Sequence, residues 1–230
     1  MSGESVTNPY ESVGLLHNDG LDYIINNLGA SPTVEEVLDL AATYMCITCD
    51  GIASPSIWQK TKYTPAGANA LNAYLCNDID KKPSDINAVL SFIYSKISST
   101  ILNANSRTDV RGDLEILEAE LIKSSYSYEI LQPALIAIAL GKHSADYWNY
   151  QIDNIGSSPW GNYLTTNYPD LDVGGRSIID ADVVTLMITY TVVIQLPGGG
   201  TDIAICTSLI SAVVVSAISA IMAWVKGFYS

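Results

Sequence analysis

Basic residues are scarce in this chain. Eleven Lys and Arg stand against 24 Asp and Glu. The bases fall in scattered places (Lys60 and Lys62, Lys81 and Lys82, Arg107 and Arg111) and form no stripe. A nucleic-acid surface needs clustered cations to displace counterions, so a nucleic-acid partner is not expected. An anionic membrane surface would repel the acidic part of the chain for the same reason. Four cysteines, Cys46, Cys49, Cys76 and Cys206, are too few for a disulfide scaffold in 230 residues. The opening MSGESVTNPYESVG has neither a basic nor an apolar signal-peptide region, so a cytoplasmic location is the default. The cell envelope or secretion is expected instead if a leader has been trimmed.

Charge is also missing from one end. Residues 1–182 hold 10 bases and 23 acids, a net −13, whereas residues 183–230 hold only Asp202 and Lys226. The chain therefore reads as one domain in three parts: an acidic helical body over 1–153, a Gly/Pro-rich loop over 154–177, and an apolar hairpin over 178–230. The loop is read from Gly156, Pro159, Gly161, Pro169, Gly174 and Gly175.

Helical spacing dominates the body. Asn8-Pro9-Tyr10-Glu11 predicts a helix start with Asn8 as N-cap, Pro9 at the first position and Glu11 closing a capping box. Ser31 to Glu36 opens a second helix, Thr64-Pro65 a short third, and Ser84-Asp85 another that carries Leu90, Ile93, Tyr94 and Ile97. Asp109 opens the next, with an acidic outer face of Asp113, Glu115, Glu118 and Glu120. In YEILQPALIAIALGKHSADYWNYQID, Pro133 is expected to kink or restart a helix.

Two apolar runs follow, Val183–Leu196 and Ile203–Val225, separated by Pro197-Gly198-Gly199-Gly200. The first is rich in β-branched residues, which suit strands. Asp180 and Asp182 at its start favour a helix. The second run carries a ladder of small residues at every fourth position, Ala204, Ser208, Ala212, Ser216 and Ala220, which suits close helix packing. At roughly 34 Å it is long enough to cross a bilayer, while the first, at about 21 Å, is too short. The expected fold is an all-α helical bundle with this C-terminal apolar hairpin packed into the core, and membrane contact through Ile203 to Val225 is the competing expectation.

Signals for chemistry are thin. The two histidines are His17, in LLHNDG, and His143, in GKHSADYW, with Asp19 and Asp146 close in sequence. No serine-hydrolase, zinc-protease or phosphate-loop motif is present. Cys46 and Cys49 share a helix face, but zinc would require two further ligands. Asp170-Leu171-Asp172-Val173-Gly174 opens like a calcium loop and lacks the later Glu. No metal or cofactor is expected. Tyr147, Trp148 and Trp160 form an aromatic group that is an interaction patch if exposed and packing if buried.

NPYESVGLLHNDGLDYI and ALIAIALGKHSADYWNYQIDNIGSSPWGNYL are similar to segments of an uncharacterised group of bacterial proteins that open with Asn-Pro-Tyr, Gly and His-Asn. The resemblance implies an all-helical fold, frequent export or lipoprotein anchoring, and no known activity. Its marked positions here are Asn8, Pro9, Tyr10, Gly14, His17, Asn18, Tyr147, Trp148, Pro159 and Trp160. His17 and Asn18 have no structural account from sequence, which makes them the candidate catalytic pair. The leading expectation is a non-enzymatic interaction or cell-envelope-associated protein with an unknown protein partner. The alternatives are a membrane-inserting toxin or effector with a sheltered hairpin, and a hydrolase-like enzyme using His17.

Overall fold

The computed structural model of the chain describes residues 8–30, 32–48, 88–167, 175–194 and 201–226. Eight helices and no strand occur among the described residues: α1 (Glu11–Asn27), α2 (Val34–Thr48), α3 (Ala88–Asn103), α4 (Val110–Ile122), α5 (Tyr128–Asp153), α6 (Pro159–Asn167), α7 (Gly175–Ile194) and α8 (Thr201–Lys226). The chain is an all-α bundle. The expected helix starts at Thr64 and Ser84, the Cys46–Cys49 pair and the Asp170–Gly174 stretch have side chains outside the described residues.

Several local expectations are corrected. The regular helix begins at Glu11, after Tyr10, and Asn8 holds the turn that leads into it, its Oδ1 accepting the Tyr10 N–H at 3.0 Å. The Asn8 amide nitrogen also reaches α4 and α5, where it donates to Glu118 and to the Leu135 carbonyl. The helix expected from Asp109 is α4, with Asp109 at its N-cap position and no side-chain capping bond. Thr33 does cap α2, its Oγ1 accepting the Glu36 N–H at 3.1 Å. Pro133 lies inside a helix that runs unbroken from Tyr128 to Asp153. It sits in the second turn, so its missing N–H removes one early bond without ending the helix. The stretch read as a loop over 154–177 holds α6. Its first turn is set by Ser158, whose hydroxyl accepts the Gly161 N–H at 3.1 Å, a capping bond that the Gly and Pro content concealed. Finally, α7 begins at Gly175, so Asp180 and Asp182 lie in its second turn rather than at its N-terminus.

The core is organised around α5. Every residue from Gln132 to Lys142 is buried, because α5 meets α1, α3, α4, α6 and α7. The apolar run Val183–Tyr190 is helical, and its pairing with α8 and α5 covers Val183, Leu186, Met187 and Tyr190. On α8 the small ladder at Ser208, Ala212, Ser216 and Ala220 is buried, and so are the bulkier Leu209, Val213, Val214 and Ile218 on other faces. A helix apolar on both sides is covered by protein here, with α1 and α2 packing against it beside α7. Each such Leu, Ile or Val side chain contributes about 1.5–3 kcal/mol by leaving water. Among the described residues no helix is long and apolar enough to cross a membrane.

Close approach of helices depends on glycine. A Cβ on Gly14 of α1 would lie 2.5 Å from His143 Cδ2 and 2.7 Å from the Ala139 carbonyl oxygen on α5. Gly14→Ala must push α1 off α5, and we expect a loss of about 1–3 kcal/mol in urea unfolding. Gly112, on the open face of α4, has no atom within 4 Å of a built Cβ. Gly112→Ala should stabilise by about 0.5–1 kcal/mol through backbone entropy alone, in the same measurement.

Candidate functional site

Two polar clusters lie inside the bundle where α1 crosses α5. The first gathers at Lys142, a cation in the apolar run of α5 with 4% of its side chain exposed. Its ammonium donates to Glu11 of α1 and to both carboxylate oxygens of Glu118 on α4, at 3.0 and 2.9 Å. Asn8 donates to the same Glu118 at 2.6 Å. His143, the next residue on α5, meets the other oxygen of Glu11 at 2.7 Å. Burial alone would raise the Glu11 carboxyl, but the hydrogen bonds from Lys142 and His143 outweigh it and hold Glu11 below its ordinary value. Three helices and the N-terminal segment are thus joined through one buried cation.

The second cluster lies deeper. His17 of α1 and Asp182 of α7 have no exposed side-chain surface, and His17 Nε2 is 3.6 Å from Asp182 Oδ2. That is within ion-pair range and too long for a hydrogen bond. Ser144 of α5 donates to Asp182 Oδ2 at 2.5 Å. Trp148, one turn further along α5, donates its indole N–H to Ser216 of α8 at 3.1 Å. One polar centre therefore touches α1, α5, α7 and α8.

Hydrogen bonding fixes the His17 ring. The Asn18 amide donates to the His143 carbonyl at 3.0 Å, which turns its oxygen toward His17 Nδ1 at 3.1 Å. Nδ1 therefore carries the proton in the neutral ring, and Nε2 presents a lone pair to Asp182. Burial pulls His17 down to about 4 despite the Asn18 bond. Burial pushes Asp182 well above the usual carboxylate range, although hydrogen bonds from Ser144, Ser216 and Trp148 oppose the shift. Three buried atoms at this level, His17 Nε2, Asp182 Oδ1 and Thr185 Oγ1, have no protein hydrogen-bond partner.

The expected site residues divide. His17 and Asn18, which had no structural account from sequence, have one here: Asn18 links α1 to α5 and orients His17 against Asp182. The sequence neighbours Asp19 and Asp146 are not their partners. Asp19 is exposed, and Asp146 pairs with Arg111 on α4. Of the two readings of the aromatic group, packing is the one that fits, because Tyr147, Trp148 and Trp160 are all buried. Their rings meet in sequence at 5.5 and 5.6 Å, the first pair edge-on and the second tilted. Tyr147 donates to Asp22, and burial, followed by that bond, raises its hydroxyl far above the ordinary value.

Sequence reasoning missed Lys142, Ser144, Glu118, Asp182 and Ser216. Lys142 and Asp182 did leave a signal. Asp182 is a charge whose neighbours at three and four residues, Ile178, Ile179, Thr185 and Leu186, carry none, and Lys142 follows the apolar run Ala134–Leu140 with Ile138, Ala139 and Ala145 beside it, although Asp146 lies four residues on. No family model matches the chain, and neither the curated proteins nor the solved structures offer a match.

Removing one partner of a buried ion pair leaves the other uncompensated. Lys142→Met should cost about 3 kcal/mol in chemical unfolding, and Glu118→Gln, which keeps a hydrogen-bond acceptor, clearly less. Equal costs would mean that charge is not what matters at Lys142.

Proposed function

We propose that this chain is a non-enzymatic interaction protein, an acidic helical scaffold that acts through its outer surface and associates with the cell envelope. The observation that carries this reading is the order of contacts inside the bundle. In serine hydrolases the imidazole stands between the hydroxyl and the carboxylate, so that it can take the hydroxyl proton. Here the carboxylate stands between them: Ser144 donates to Asp182, and His17 approaches the same oxygen from the other side. All three residues are fully buried. Such a trio serves cohesion rather than attack on a substrate.

The net charge of −13 favours a basic partner. Asp113, Glu115 and Glu120 line the outer side of α4 around an exposed Ile116, with Glu115 paired to Arg111 and Glu120 to Lys96. Association with the envelope draws on the resemblance of the Asn-Pro-Tyr opening and the Ser-Pro-Trp segment to a frequently exported bacterial group. The sheltered-hairpin alternative draws on a different observation, the complete covering of the described core of α8.

A fluorophosphonate probe separates the scaffold from a hydrolase. Folded wild-type protein should show no labelling of Ser144 and no ester turnover above background. Labelling at Ser144 that disappears in Ser144→Ala and in a folded His17→Gln variant would overturn the proposal in favour of the enzyme.

A further inference from the structure

The deeper cluster has a property that the scaffold reading does not require. His17 and Asp182 share a contact of 3.6 Å with no exposed side-chain surface on either. Holding two protons, the pair would carry +1; holding none, −1. A net charge is costly in a dry interior, so the closed bundle keeps the pair at one proton over a wide span of pH. This holds whichever atom carries the proton. In water the same two groups, apart from one another, hold one proton only between about 3.9 and about 6.5. Above that span the exposed imidazole is neutral and the exposed carboxylate ionised, so the separated pair has lost a proton that the buried pair retains.

We propose that His17 and Asp182 form a one-proton clasp, which fastens α1 onto the C-terminal hairpin in mild acid and loosens as the pH rises above the ordinary histidine range. The clasp is well placed to do this, since it joins α1 to α7 while Ser144 and Trp148 of α5 connect it to Asp182 and to Ser216 of α8.

The titratable surroundings are few. On α1, Asp19 is exposed and Glu11 is held by Lys142 and His143 of α5. On α7, Asp180 accepts a hydrogen bond from Ser98 of α3 at 2.6 Å, and its charge adds to the rise of Asp182; from α5, the charge of His143 opposes protonation of His17. From α4, Glu118 is bonded to Lys142. From α2, Glu36 accepts the Gly29 N–H, and Tyr44 stacks on Tyr23. The described side chains of α8 include none that titrates. Among the described residues, His17 is the cation-forming group that meets Asp182.

The direction follows from two opposed effects. His17, pulled down to about 4 by burial, contributes stability that is full above about 6.5 and shrinks as the pH falls toward 4. Asp182, pushed up by burial, contributes stability that is full below about 3.9 and shrinks as the pH rises toward its folded value. Between about 4 and 6.5 one gains what the other loses, and the closed state neither strengthens nor weakens. Above about 6.5 only the loss at Asp182 continues, and the closed-to-open ratio falls about tenfold per pH unit.

Amide hydrogen exchange on the full chain from about pH 4.5 to 9 reads this directly, as protection factors over residues 16–24 of α1 and 212–218 of α8. Wild type should be level to about pH 6.5 and then fall about tenfold per unit. Asp182→Asn has no acid left to ionise, and its profile should reverse, level above 6.5 and falling below it. His17→Gln should begin to fall near pH 4. His143→Gln removes a charge that opposes protonation of His17 and leaves Asp182 in place, so the alkaline fall should remain. A wild-type profile that is level above 6.5, or an Asp182→Asn profile that still falls there, overturns the clasp. If either single variant does not fold, the His17→Leu, Asp182→Leu double variant replaces the pair with apolar bulk and should lose the alkaline fall; retention of that fall also overturns it. These outcomes are independent of probe labelling at Ser144, so the clasp and the scaffold reading fail separately.

Discussion

A carboxylate on a helix that is covered on every side must find its partners inside the protein, and Asp182 is in that position. It lies on α7, which packs against α5, and within 3.6 Å of His17 of α1, in a core built mainly from Ile, Leu, Val and Ala with a few aromatic rings. Its side chain has no surface open to bulk solvent. Ser144 supplies a hydrogen bond, His17 a ring nitrogen at 3.6 Å that stabilises the pair when one proton is held between the two groups, and Trp148 and Ser216 continue the polar contact to α8. The angular position of α1 about its own axis is set by this requirement, since turning it by one residue would remove His17 from Asp182 and Asn18 from the His143 carbonyl. Apolar packing alone tolerates such a turn much better, because Leu and Ile contacts are not directional.

Close packing makes the arrangement reachable. Gly14 lets α1 touch α5 at Ala139 and His143, and Gly20 lets it lie near Val213 of α8. Gly141 does the same for α5 against Leu114 and Val183. The polar groups that would otherwise be too far apart are brought within bonding distance by residues that have almost no side chain. The Lys142 cluster follows the same logic at the edge of the core, where Glu11 keeps partial access to solvent and Glu118 does not keep much.

Helix content was legible because periodicity is local. Leu90, Ile93, Tyr94 and Ile97 announce the buried face of α3 by their spacing, and Val110, Leu114, Leu117 and Leu121 do so for α4. The helical reading of Val183–Leu196, against the β-branched propensity of its residues, agrees with α7, since tertiary burial overrides a weak strand preference. Caps were less legible. Asn8 accepts the Tyr10 N–H as its identity suggests, but its amide nitrogen is also engaged by Glu118 and the Leu135 carbonyl, contacts 110 and 127 residues away that no local pattern announces. α6 was hidden because Gly and Pro suit a loop and a helix start equally well.

The candidate site divides along the same line. Composition and period determined by themselves that this chain is helical, acidic outside and apolar toward its end, because those properties follow from residue type and from neighbours within a turn or two. The resemblance to the Asn-Pro-Tyr group, rather than composition or period, marked His17 and Asn18 as residues without a local explanation. Which groups those two meet was decided by tertiary structure alone: Asp182 lies 165 positions beyond His17 and His143 lies 125 positions beyond Asn18. A pairing across such distances depends on how α1, α5 and α7 cross. That crossing is selected by the packing of all their side chains together, and no short stretch of sequence carries it.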